Sequence, residues 1–134
     1  MKYLLMTALT VFAAICFTTS CKKEKSQPTP VSTRTIKFIL YTNQDFSNDD
    51  HNISFALHIR NTNQTISFDS TVFSMKVKDI PNKQNQLVFE KKVPSDGSIL
   101  TAGFLYSIEN VGNSWHLDTC AANEKLKVIE YPFQ

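Results

Sequence analysis

Apolar and polar residues alternate with a period of two over most of the chain beyond residue 34. Between residues 52 and 60, Ile53, Phe55, Leu57 and Ile59 are interleaved with Ser54, His58 and Arg60. One apolar face and one wet face is the pattern of a half-buried antiparallel strand. Ile36, Phe38 and Leu40 alternate in the same way, and residues 65–69 repeat the pattern briefly through Ile66 and Phe68. Phe73, Met75 and Val77 continue it as far as Asp79-Ile80-Pro81-Asn82, which reads as a turn. Leu87, Phe89 and Val93 predict the next strand, ended by Pro94-Ser95-Asp96-Gly97. Residues 99–111 follow, with Ala102, Phe104, Tyr106 and Ile108 on one face, and then a turn at Val111-Gly112-Asn113. Trp115 and Leu117 mark a short strand, and Leu126, Val128 and Tyr131 a last one, closed by Pro132. The pattern predicts about eight short strands at the spacing of a sandwich or barrel. No stretch offers a helix face; residues 123–127 suit no more than one turn of helix.

Sequential hairpins over one core favour an all-β fold, an antiparallel two-sheet β-sandwich of Ig-like or transthyretin-like type, spanning residues 34–134. A small β-barrel is the alternative. The paired cysteines that flank the core tryptophan of immunoglobulin domains are missing. Phenylalanine, eight of whose ten residues lie beyond residue 34, supplies much of the core mass, at about 1.5–3 kcal/mol for each ring fully buried. About a hundred residues can close such a core without disulfides.

Residues 1–20 do not belong to that core. Lys2 precedes an uncharged apolar run from Tyr3 to Phe17, and Thr18, Thr19 and Ser20 follow. This is the order of a secretory signal peptide. Cys21, placed after those small residues, resembles the lipobox cysteine of bacterial lipoproteins. That resemblance implies a diacylglyceryl group on the sulfur, cleavage before Cys21 and acylation of the new amino group, palmitate included. Thr18 stands where the common pattern has leucine, a looseness similar to Bacteroidota-type lipoproteins. Residues 21–33 then read as a lipidated, disordered tether, polar and interrupted by Pro28 and Pro30. Twelve flexible residues have an end-to-end distance of roughly 20 Å. The expected address is the bacterial cell envelope, at the periplasmic face or cell surface of the outer membrane. The chain as a whole resembles small Bacteroidota lipoproteins with a single β-sandwich domain, a family of unassigned function. Besides Cys21, residues 38–47 (FILYTNQDFS) and 106–112 (YSIENVG) carry the likeness. It implies location and fold and brings no catalytic residue.

The whole chain has a formal charge of +2, but Lys2, Lys22, Lys23, Lys25 and Glu24 all precede residue 34. The ten basic and eleven acidic residues that remain leave the domain at −1, with no electrostatic footprint for nucleic acid. With Cys16 in the signal and Cys21 lipidated, Cys120 has no disulfide partner and is expected to be a small buried hydrophobe.

Candidate chemistry is sparse. Asp45, Asp49 and Asp50 lie in the most polar loop and form a weak Ca²⁺ candidate, since calcium takes six to eight oxygens. Asn, Asp and Ser also gather where a chain simply turns. The three histidines fall at no zinc-ligand spacing. No nucleophile elbow, phosphate loop or dinucleotide motif occurs. An enzyme would need a deep pocket holding several of Asp45, His51, Glu109 and His116. Trp115 is expected in the core, as large aromatics are mostly buried. The alternative is an exposed ligand platform formed by Trp115 and Tyr106 with Tyr131 and Phe133. Asp69-Ser70-Thr71 resembles the Bacteroidota O-glycosylation motif, with Ser70 as acceptor on an exposed loop. The sequence thus predicts a membrane-anchored, non-enzymatic envelope lipoprotein without cofactors, one that binds an envelope protein or serves as a structural accessory. A carbohydrate- or calcium-binding module is the alternative.

Overall fold

A computed structural model describes residues 32–134. The signal peptide, Cys21 and nearly all of the tether expected from the sequence lie outside the described residues. Seven strands form: β1 (Thr33–Thr42), β2 (Asn52–Asn61), β3 (Ser67–Lys76), β4 (Leu87–Pro94), β5 (Leu100–Ile108), β6 (Gly112–Cys120) and β7 (Leu126–Phe133). Two short 3-10 turns, Val77–Asp79 and Lys83–Asn85, connect β3 to β4.

The strands make two separate sheets, ordered β4-β1-β7 and β3-β2-β5-β6. All pairings are antiparallel except β1 with β7. The architecture is therefore a β-sandwich and not the closed barrel, because no ladder joins the two sheets. The strand order also differs from the immunoglobulin arrangement, in which the first, second, fifth and fourth strands share a sheet.

The alternation read from the sequence is the alternation that packs. Ile36, Phe38 and Leu40 on β1 and Ile53, Phe55 and Ile59 on β2 are fully buried. Across the gap Phe38 meets Phe104 edge-on at 5.6 Å, and Phe73 stacks on Phe89 at 5.3 Å. Phe55 is the hub, touching Phe73, Phe104, Tyr106 and Phe133. Aromatic pairs of this kind add roughly 0.5–1.5 kcal/mol each beyond the area they bury.

Seven strands replace the eight expected because the runs at 65–69 and 73–77 both fall mainly on one bulged strand, Ser67–Lys76. Phe55 pairs with Phe73 but Ala56 pairs with Thr71, so Val72 is the extra residue. The bulge moves the inward set from Phe68 and Ser70 to Phe73 and Met75, and the change of phase imitates two strands. β6 is longer than Trp115–Leu117 suggests, and β1 begins at Thr33, one residue inside the expected tether.

One charged side chain is almost wholly enclosed. Arg34, 1% exposed, lies on the inner face of β1 where the chain enters the sandwich. Its Nη1 donates to the Ala121 carbonyl and its Nη2 to Ser98 Oγ, both at 3.1 Å, with Asp96 at 3.6 Å. Nε has no partner. Arg34 thus ties the start of β1 to the segments before β5 and after β6.

Candidate binding surface

The outer face of the four-stranded sheet carries the unusual chemistry. In register across it, Thr71, Ala56, Leu105 and Trp115 form one row, and Asp69, His58, Gly103 and Leu117 the next. Trp115 is 68% exposed and Leu117 37% exposed. Leu105 and Ala56 are half-buried beside them, so an apolar strip runs from the middle of the sheet to its β6 edge. Ser54, Ser107 and Asn113 line the strip on one side and, with Trp115, frame a shallow depression of about 310 Å³.

The expectation of a core tryptophan is overturned, and the reason is register. Trp115 faces Leu105, whose neighbours Phe104 and Tyr106 point inward. The inward residues of β6 are instead Ser114, His116, Asp118 and Cys120. His116 stacks on Tyr131 at 4.5 Å, and Asp118 pairs with Lys127 at 2.6 Å. An apolar pair at 115 and 117 in a short β6 looked like a core face when it is the outer one.

The platform first imagined around Trp115 does not assemble as a group. Tyr106, Tyr131 and Phe133 lie on the inner side of the sheets, packed against the core. Tyr131 donates its hydroxyl to Tyr106 Oη at 3.0 Å, and burial together with that bond pushes the Tyr131 phenol up in pKa. Trp115 is therefore accompanied by Leu105 and Leu117, neither of which sequence reasoning singled out for this face. Gly103 was missed as well. A Cβ there would sit 2.0 Å from the His116 carbonyl oxygen, so glycine is what lets β6 lie against β5 at this point.

Beside the strip, His58 and Arg60 both engage Asp69. His58 Nδ1 hydrogen-bonds Asp69 Oδ1, and Arg60 Nη2 lies 3.0 Å from Oδ2. This acidic residue opens the expected glycosylation motif, but its setting is the edge strand β3 and not an exposed loop. Ser70 faces Leu57 and is half-buried, its hydroxyl turned to the Thr71 carbonyl.

The acidic loop at the far end of the sandwich is engaged with itself and its neighbours. Asp45 Oδ1 accepts from the Ser47 N–H at 2.9 Å, and Asp49 Oδ1 from the His51 N–H at 3.0 Å. The Ser47 N–H bond holds Asp45 below its usual pKa, and the His51 imidazole, with Nδ1 2.7 Å from Oδ1, holds Asp49 below its own together with the His51 N–H. Lys78 and Lys76 flank Asp50 at 2.7 and 2.9 Å and depress it to about 2. Among the described residues no group of three His, Cys, Asp or Glu side chains converges as a metal site. Asp45, Asp49 and Asp50, the weak calcium candidates, are engaged in two turns and a lysine pair. Asp45, His51 and Glu109 do line one open depression, but His116 does not line it, being stacked on Tyr131, and Glu109 accepts from Asn52 at 2.6 Å. Cys120 is fully buried, and burial pushes its thiol up. Among the described residues no helix is long and apolar enough to cross a membrane.

No protein-family model matches this chain, and no curated protein matches it.

Proposed function

We propose that this chain is a non-enzymatic envelope lipoprotein whose β-sandwich binds a protein partner through the outer face of β3-β2-β5-β6. The observation that carries the reading is the exposure of Trp115 and Leu117 on a sheet face, next to Leu105 and Ala56. Apolar surface left in water contributes nothing to folding. A contiguous strip rimmed by polar side chains is the usual form of an interaction site. Tryptophan is also the residue most enriched where binding energy concentrates. A lipid on Cys21 with a short polar tether would keep that face within reach of other envelope proteins. Two acyl chains, at about 0.8 kcal/mol for each buried methylene, hold such an anchor stably.

The test is affinity isolation of the full chain from detergent-solubilised envelopes, in wild type, Trp115→Ala and Lys92→Ala forms. Lys92 lies on the outer face of the other sheet. The reading expects one companion protein with wild type and Lys92→Ala and its loss with Trp115→Ala. No companion, or one indifferent to Trp115, would refute it.

A glycan is the second reading, favoured by one observation: Ser54, Ser107 and Asn113 place hydroxyl and amide groups around the depression beside the indole. Trp115 is the only tryptophan, so its emission reports sugar stacking directly. An unchanged spectrum across a glycan panel would remove this reading.

A further inference from the structure

The four sheet edges are not alike. β4 carries Glu90, Lys91, Lys92 and Pro94; β7 carries Lys127, Glu130 and Pro132; β3 carries Asp69, Lys76 and the bulge at Val72. Lysines, prolines and bulges are the devices by which proteins keep edges from pairing with other chains. β6 has no lysine, proline or bulge, and its one charged residue, Asp118, is already paired with Lys127. Its nine residues, Gly112–Cys120, pair with β5 in unbroken register.

The free side of that edge can be read from two contacts. The His116 carbonyl points toward β5, where it would meet a Cβ on Gly103. Even-numbered residues of β6 therefore spend their backbone groups on β5, and Asn113, Trp115, Leu117 and Thr119 turn theirs outward. Asp118 Oδ1 covers the Thr119 N–H at 2.7 Å, which leaves Asn113, Trp115 and Leu117 as the open ladder.

From this arrangement we propose that β6 pairs antiparallel with β6 of a second copy, extending the four-stranded sheet across a two-fold axis at His116. This goes beyond the partner-binding reading and does not rest on it. The argument for a second copy is the match of the side chains that come to face one another when two copies of the strand are centred on His116. Centred on His116, all nine residues lie opposite a partner, only the Thr119 N–H being already taken by Asp118, whereas centring on Trp115 or Leu117 strands two of them. Trp115 then faces Leu117 of the second copy, twice over, and Asn113 faces Thr119. Asp118 faces Ser114, so no carboxylate opposes another. The sandwich beyond the tether carries a formal charge of only −1, so mutual repulsion is small. The paired sheets would carry the two apolar strips as one continuous surface.

Cysteine pairs test this in the full chain, kept in its native membranes and lightly oxidised. His116→Cys is expected to give a disulfide dimer, since residue 116 faces itself in a close, non-hydrogen-bonded pair. Asn113→Cys with Thr119→Cys in one chain is expected to do so as well, with His116 intact. These positions are about 20 Å apart along one strand, so any bond between them joins two chains. Thr119→Cys alone is expected to stay monomeric. Charge sets the register: Ser114→Asp, opposite Asp118 in both halves, is expected to slow cross-linking about tenfold, and Ser114→Lys to preserve it. Equal cross-linking of Thr119→Cys and His116→Cys would overturn the proposal. So would indifference to Ser114→Asp, or a cross-link from residue 116 to a different protein. Trp115→Ala and Ser114→Asp separate the two readings, since only the second leaves the strip intact while disrupting the pair.

Discussion

Gly103→Ala is the sharpest perturbation of the sheet that carries the strip. The added methyl would begin 2.0 Å from the His116 carbonyl oxygen and 2.8 Å from Leu117 Cα. Both are backbone atoms, so no side-chain rotation relieves the clash, and β6 must move away from β5 by about an ångström or more. Overpacking of this kind costs typically 1–3 kcal/mol. Each ladder hydrogen bond lost as the strands separate adds about 1 kcal/mol. A total of about 2–4 kcal/mol lowers the Tm of a hundred-residue domain by roughly 10–25 °C. Thermal denaturation followed by circular dichroism measures this, with Thr101→Ala, exposed on the same strand, as the neutral control. Hydrogen exchange should localise the loss to β5 and β6, with β1 and β4 protected as before. A Tm within about 2 °C of wild type would refute the close approach of β6 over Gly103.

Arg34→Ala is expected to cost about 3–5 kcal/mol by urea unfolding, because it leaves a cavity the size of the buried arginine stem and removes the ties to Ala121 and Ser98. Arg34→Met, which keeps the stem's volume and abolishes the unmet demand of Nε, should stay within about 1.5 kcal/mol of wild type. Asp50 is depressed from 3.8 to about 2 by Lys78 and Lys76, so between those values the unfolded chain holds a proton that the folded one lacks. Stability from this group is present above about pH 4 and lost as pH falls toward 2. Asp50→Asn should flatten that part of the acid-unfolding curve, and added salt should shrink the difference. Cys21→Ser is expected to abolish labelling by a clickable palmitate analogue and to release the protein from membrane fractions. Labelling that survives the substitution would exclude Cys21 as the lipid site.

Much of the fold was legible because the period-two pattern has one dominant cause, burial of one face of each strand. β2 is the clearest case: Ile53, Phe55, Leu57 and Ile59 are the residues that alternate and the residues that are buried. The pattern failed where a local event changed the phase. The extra residue at Val72 shifts the inward set of β3, and nothing in its composition marks it as a bulge. β6 misled for another reason. It is an edge strand facing the narrower three-stranded sheet, so its inward positions take Ser114, His116 and Asp118, and its apolar residues face out. Without the pairing of Leu105 with Trp115, a tryptophan next to polar residues reads as core. The acidic loop was legible as a turn but not as a set of satisfied carboxylates, because Lys76 and Lys78 lie some twenty-five residues further along the chain. Arg34 gave no signal, since nothing local distinguishes it from a solvated strand arginine.

Site-specific photo-cross-linking in living cells tests the central claim, that the strip around Trp115 is the working surface. A benzophenone side chain at Leu117 keeps Trp115 in place, and the same probe at Val128 samples the outer face of the other sheet. The account predicts a discrete protein adduct from position 117, absent from 128 and lost with Trp115→Ala. Adducts of equal yield at both positions, or none at 117, would contradict it.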